Sequence, residues 1–197
     1  MHNHSDYTIL LDPKAESTIR QGVTTMVLGE SRSAGPVRPD AGARDDGVKV
    51  DWTTLGGYFA TLERQHIATN IASYVGEEQV WTYVKGYDQT PATPDELEAM
   101  KTLTAEAMKE GAMGLSSALL MPPSSLATTA NLTELAKVAK RFGGIYSTHI
   151  RDEGEGVFQA IAETTITWQP ATAGAACNWC PCAMPETRPS KASGWPS

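Results

Sequence analysis

Short apolar runs and longer segments with an apolar residue at every third or fourth position take turns along this chain. Residues 21–30 (QGVTTMVLGE) are β-branched, apolar and bounded by glycines, the pattern of a strand covered on both faces. Residues 67–75 (IATNIASYV), 112–120 (AMGLSSALL) and 145–150 (IYSTHI) repeat it. Helical patterns separate them, over 12–20 and 58–65 and after Thr93-Pro94-Asp95-Glu96, where Leu97, Met100, Leu103, Ala107 and Met108 recur at helical spacing. Thr93 offers an N-cap, Pro94 suits the first helical position, and Glu96 completes a capping box. Asn131-Leu132-Thr133-Glu134 opens a further helix by the same logic, with Asn131 as the expected cap. Gly111 and Gly143-Gly144 stop these two helices, and residues 157–162 begin another.

Strands that alternate with helices, without hairpin signals, imply parallel pairing through crossover helices. That leaves a (β/α) barrel or an open doubly wound sheet. Four strands are legible, and a fifth is implied before Asp12. With 197 residues the chain is shorter than the ~250 of a closed eight-unit barrel.

Composition narrows the function. The chain is 41% hydrophobic and 20% charged, which is globular usage. Sixteen Lys+Arg against 23 Asp+Glu give a net charge of −7, and no basic stripe supports a nucleic-acid partner. No apolar run nears the ~20 residues of a membrane span, and no secretory leader opens the chain, so a cytoplasmic protein is expected. The pattern holds over residues 1–164 and fails from residue 165. Residues 165–197 hold all three cysteines, three of the five tryptophans and five prolines. This segment is expected to be an irregular, disordered tail rather than the evolved continuation of the domain, as a frameshift or truncated gene produces. Cys177, Cys180 and Cys182 include a C-x-x-C, but no second pair completes a zinc site.

Three places carry chemistry. His2-Asn3-His4 is an H-x-H, which at the end of a strand turns both imidazoles to one side, within the ~2.0–2.1 Å reach of one zinc ion. Glu30 terminates an apolar strand, and parallel β/α proteins collect function at strand carboxyl ends. His149 lies near the end of the 145–150 strand. His66, the fourth histidine, falls in a helix-to-strand turn at the opposite end and reads as structural.

Taken together, His2-Asn3-His4-Ser5-Asp6, the 21–30 strand, Gly111-Ala112-Met113-Gly114-Leu115-Ser116-Ser117, Pro122-Pro123 and Thr148-His149-Ile150-Arg151-Asp152-Glu153-Gly154 resemble the N-acyl-D-amino-acid deacylase (D-aminoacylase) branch of the amidohydrolase superfamily. The resemblance covers about residues 1–163 and implies a partial TIM-type (β/α) barrel, about five of its eight strand–helix units. It implies one or two Zn2+ ions, a small-molecule N-acyl amino acid substrate, and His2, His4 and His149 as metal ligands. The family's Gly-Asn-Cys-Gly run is here Gly29-Glu30-Ser31-Arg32. A serine replaces a thiolate poorly, so Glu30 is the candidate carboxylate ligand in its place. The family's later histidine ligand and its aspartate base have no counterpart, so the chain by itself is expected to be inactive. Dihydroorotase- or dipeptidase-like enzymes carry a lysine on the fourth strand, and residues 112–120 contain none. A non-catalytic metal-binding β/α protein is the remaining alternative. Exposed edge strands of a partial barrel would favour self-association.

Overall fold

A computed structural model describes residues 3–40 and 47–172. The elements run α1 (Thr8–Leu11), α2 (Glu16–Ile19), β1 (Thr25–Leu28), α3 (Leu55–Arg64), β2 (Asn70–Ser73), β3 (Val75–Gly76), α4 (Glu77–Lys85), α5 (Pro94–Lys109), β4 (Gly114–Ala118), α6 (Thr129–Arg141), β5 (Ile145–His149) and α7 (Val157–Thr172). Every ladder is parallel: β1 pairs with β2, β3 with β4, and β4 with β5. Tyr74 N donates to the Leu28 carbonyl and Met113 N to the Ser73 carbonyl, each at 2.9 Å. These two bonds carry the β2–β3 line across both ladders, so the strands neighbour one another in chain order. The fold is mixed α/β with parallel sheets, and among the described residues the strands close no barrel.

Local chemistry accounts for most elements. Thr93 and Glu96 close their capping box at the start of α5, satisfying amides that the first turn leaves without partners. The box of α6 sits three residues earlier than the sequence suggests: Thr128 is the cap, and Asn131 is the residue that reaches back to it. The 12–20 pattern yields two short helices rather than one. Ala15 adopts a left-handed backbone (φ 44°), and the Pro13 carbonyl is committed to the amide of Ala68 at 2.9 Å. No strand precedes β1 among the described residues, so the implied fifth strand is absent there; residues around Thr8 form a helical turn instead. Helix α4, which the sequence pattern did not suggest, leaves β3 without a side-chain cap. Helix α7 runs to Thr172, past the point where the sequence pattern breaks. Residues 173–197, with the three cysteines, lie outside the described residues.

The core lies between the strands and the helices. Leu28, Val75, Leu115 and Leu119 meet Leu55, Tyr58, Trp81, Met100, Leu132 and Leu135 there, all at most 1% exposed. Each such side chain contributes about 1.5–3 kcal/mol by leaving water. This packing fixes the strand ends from which the polar residues project.

Candidate functional site

Two glycines allow the chain to crowd around the carboxyl ends of β1 and β3. Gly29 has φ +82°, and a Cβ there would strike the Tyr74 carbonyl; only glycine takes that turn without strain. A Cβ at Gly76 would strike the Ser31 carbonyl. Between the two lie Glu30 and Ser31, the latter itself left-handed at φ 62°. Ser31 N donates to Ser116 Oγ at 2.9 Å, and the Ser116 hydroxyl donates to the Gly29 carbonyl. Ser116 of β4 thus grips the chain on both sides of Glu30.

Glu30 is 6% exposed. Burial pushes its carboxyl up, while the charges of His149 and His4 act downward, so both imidazoles stand within electrostatic reach of it. Tyr74 borders the same place. Its phenol is pushed up by burial and then by the charge of Glu30, with the Ser147 hydroxyl acting the other way. In the β4–β5 register Ser116 faces Ser147 and Ala118 faces His149, which puts Ser147 and His149 on the sheet face of Ser116. The N-terminal segment is tied to this face through Asp6. Burial drives its carboxyl up to about 7 against hydrogen bonds from the backbone of Gly29 and Ala34. Its carbonyl accepts from Tyr58 Oη at 2.6 Å.

The structure therefore brings Glu30, His149 and His4 to one rim. His4 sits exposed in an irregular segment. His2 lies outside the described residues. Ser31 faces elsewhere: its Oγ donates to Glu78 Oε2 at 3.0 Å and lies 3.5 Å from Ser124 Oγ. His66 lines a cavity of about 620 Å³ with Phe59, Leu62, Ile67 and Asn70, at the amino end of β2 and away from Glu30. A buried carboxylate and two imidazoles fit zinc in kind. Among the described residues no group of three or more His, Cys, Asp or Glu side chains is close enough to hold an ion.

The other face of the sheet holds a second polar cluster that sequence reasoning missed. Ser117 Oγ lies 2.7 Å from both Tyr146 Oη and Thr148 Oγ1. Glu77, the first residue of α4, is fully buried, and neither carboxylate oxygen has a hydrogen-bond partner among the described residues. Burial drives it up to about 7, with the Glu78 charge adding to the rise and the Ser124 hydroxyl and Arg151 charge opposing it. The only sequence signal was its position, directly after a glycine at a strand end, as for Glu30.

No family model matches the chain. It is similar to the D-aminoacylase of Alcaligenes xylosoxydans xylosoxydans, 35% identical over 170 residues that make up 83% of this chain and 35% of that protein. The N-acyl-D-glutamate deacylase of the same organism is 29% identical over 167 residues, 82% of this chain and 34% of its own length. Among solved structures, a D-aminoacylase with a binuclear metal centre superposes with a TM-score of 0.78 at 31% identity, over 86% of this chain and 37% of that one. The N-acyl-D-glutamate deacylase of Bordetella bronchiseptica, complexed with zinc and a phosphonate inhibitor, gives 0.78 at 30% identity with the same coverage. The chain spans about a third of the length of the relatives it matches.

Proposed function

Because the chain belongs to the family of the N-acyl-D-amino-acid deacylases, we propose that it forms part of a zinc-dependent amidohydrolase that cleaves the amide bond of N-acylated D-amino acids. One observation carries the reading to these residues: at the place of the family's cysteine run, Glu30 is buried, with the His149 and His4 imidazoles near enough to act on its carboxyl. In this reading residues 1–164 are part of a TIM-type barrel, with neighbouring strands in chain order.

Glu30, His149, His4 and His2 would hold one or two zinc ions. The chemistry such an ion supplies is activation of water and polarisation of the scissile carbonyl. The chain's own residues set the stage for it. Burial keeps water from competing for the Glu30 carboxylate, and the facing imidazoles keep its ionised form accessible. Ser116 fixes the backbone of Glu30 from both sides, and Tyr74 closes the adjoining wall. β4 carries no lysine, and Glu30 would supply the anionic donor of the set.

The test is hydrolysis by a protein that carries this segment at the full length of its relatives, assayed with N-acetyl-D-amino acids and their L enantiomers by released amine. Turnover of the D series alone, abolished by a chelator and restored by zinc, is the expected result. Equal turnover of both series, or none with zinc bound, overturns the assignment.

A further inference from the structure

Among the described residues β5 has a ladder on one side only, to β4, and its side chains are exposed or half-buried throughout. Hydrogen bonds beyond that ladder give the strand that carries His149 further rigidity. The segment between β4 and α6 supplies it. Leu119 N donates to the His149 carbonyl at 3.1 Å, and Thr148 Oγ1 donates to the same oxygen at 2.8 Å. Two residues beyond His149, Arg151 donates from Nη1 to the Ser125 carbonyl at 2.6 Å and from Nη2 to the Ala127 carbonyl at 2.7 Å. Its Nε and Nη2 also hold the two Glu163 oxygens of α7, each at 2.9 Å. Glu163 is tied to α6 in turn, accepting from Thr129 Oγ1 at 2.9 Å.

We propose that Arg151 is a positioning residue for His149: its guanidinium latches the β4–α6 segment and α7 onto the end of β5, and so fixes the backbone that aims the imidazole toward Glu30. The latch stands on the hydrogen bonds alone; its bearing on catalysis rests on the deacylase reading above. A planar fork of five donors meets two carbonyls and a carboxylate at once, which an ammonium at the end of a flexible stem does not do. The Arg151 and Glu163 side chains are only 31% and 11% exposed, so solvent weakens the pair less than it weakens a surface ion pair.

The experiment compares Arg151→Lys and Glu163→Gln with the unaltered chain by amide hydrogen exchange and by NMR of the His149 ring, with far-UV circular dichroism to confirm folding. In R151K, exchange over residues 119–129 is expected to accelerate about tenfold, and the His149 ring signals to shift and broaden. E163Q keeps the shape and weakens the charge-assisted bonds, so it gives smaller changes of the same kind; it also decides the matter if R151K does not fold. Unchanged exchange overturns the latch. Faster exchange with unmoved His149 signals overturns the positioning role and leaves a purely structural tie. Separately, a protein carrying this segment at the full length of its relatives that takes up no Co2+ in an absorption titration sinks the metal reading, while both latch readouts still decide the latch.

Discussion

Two buried glutamates, Glu30 and Glu77, each follow a glycine at the carboxyl end of a strand, yet the fold uses them in opposite ways. Glu30 enters the face of the sheet that carries Ser116, Ser147 and His149, where imidazoles offset part of the cost of burying its charge. Glu77 enters the side that carries Tyr146, where Arg151, the cation that acts on it, already holds Glu163 and two carbonyls. An ionised carboxylate is costly in a dry interior unless it is paired. Burial raises both carboxyls; imidazoles oppose the rise at Glu30, while the cation that opposes it at Glu77 is shared with Glu163 and two carbonyls.

The sharpest way to break this contrast is to remove the charge of Glu30. Glu30→Gln keeps the shape and deletes the anionic donor, so zinc affinity is expected to fall about 100-fold or more, at least the loss that follows when partners around a metal site are removed. Zinc content after gel filtration, or a Co2+ absorption titration, measures it. Unchanged metal binding removes Glu30 from the site and makes the two glutamates equivalent.

The second test works on stability. With its pKa raised to about 7 from 4.5, Glu77 holds its proton in the folded chain after the unfolded chain has lost it. Its contribution is therefore fully present below about pH 4.5 and is lost as pH rises through about 7. Glu77→Gln cannot ionise. It should match the unaltered chain near pH 4 and exceed it near pH 8, by about 3 kcal/mol at most. Urea unfolding midpoints across that range check this. Asp6, also raised to about 7, pulls in the same direction, so the slope should shrink rather than vanish. A variant less stable than the parent at pH 8 would mean that the Glu77 charge is paired after all.

What was legible in the chain follows the range of the interactions. The capping box of α5 involves residues three apart, and the four main strand lines follow from local apolar runs. Thr128, Asn131 and Glu134 repeat one spacing, and local chemistry alone does not say which begins α6. Glu30 was legible because it ends an apolar strand. Tyr74, Ser147 and Arg151 were not, because their roles depend on partners that only the sheet brings near: Tyr74 stands beside Glu30 and Ser147, and Arg151 spans to residues 24 and 26 positions away. Helix α4 was hidden because nothing in Gly76-Glu77-Glu78 resembles a cap, and the helix is held by burial of Val80 and Trp81.

The smallest expected effect separates neighbours rather than faces. Ser31 stands beside Glu30 where the family carries its cysteine, and sequence alone left the two as rival ligands. The backbone settles which way each side chain goes: left-handed Ser31 sends its hydroxyl to Glu78 and toward Ser124, while Glu30 keeps the imidazoles. Ser31→Ala should therefore leave zinc content unchanged and cost about 1 kcal/mol, the net worth of one hydrogen bond, or up to about 3 if Glu78 is charged and left short of a donor. Arg32 Nε still holds Glu78 Oε1 at 2.6 Å, which argues for the lower figure. Loss of zinc from S31A with retention in E30Q would exchange the two roles, and with them the side of this turn that faces the metal.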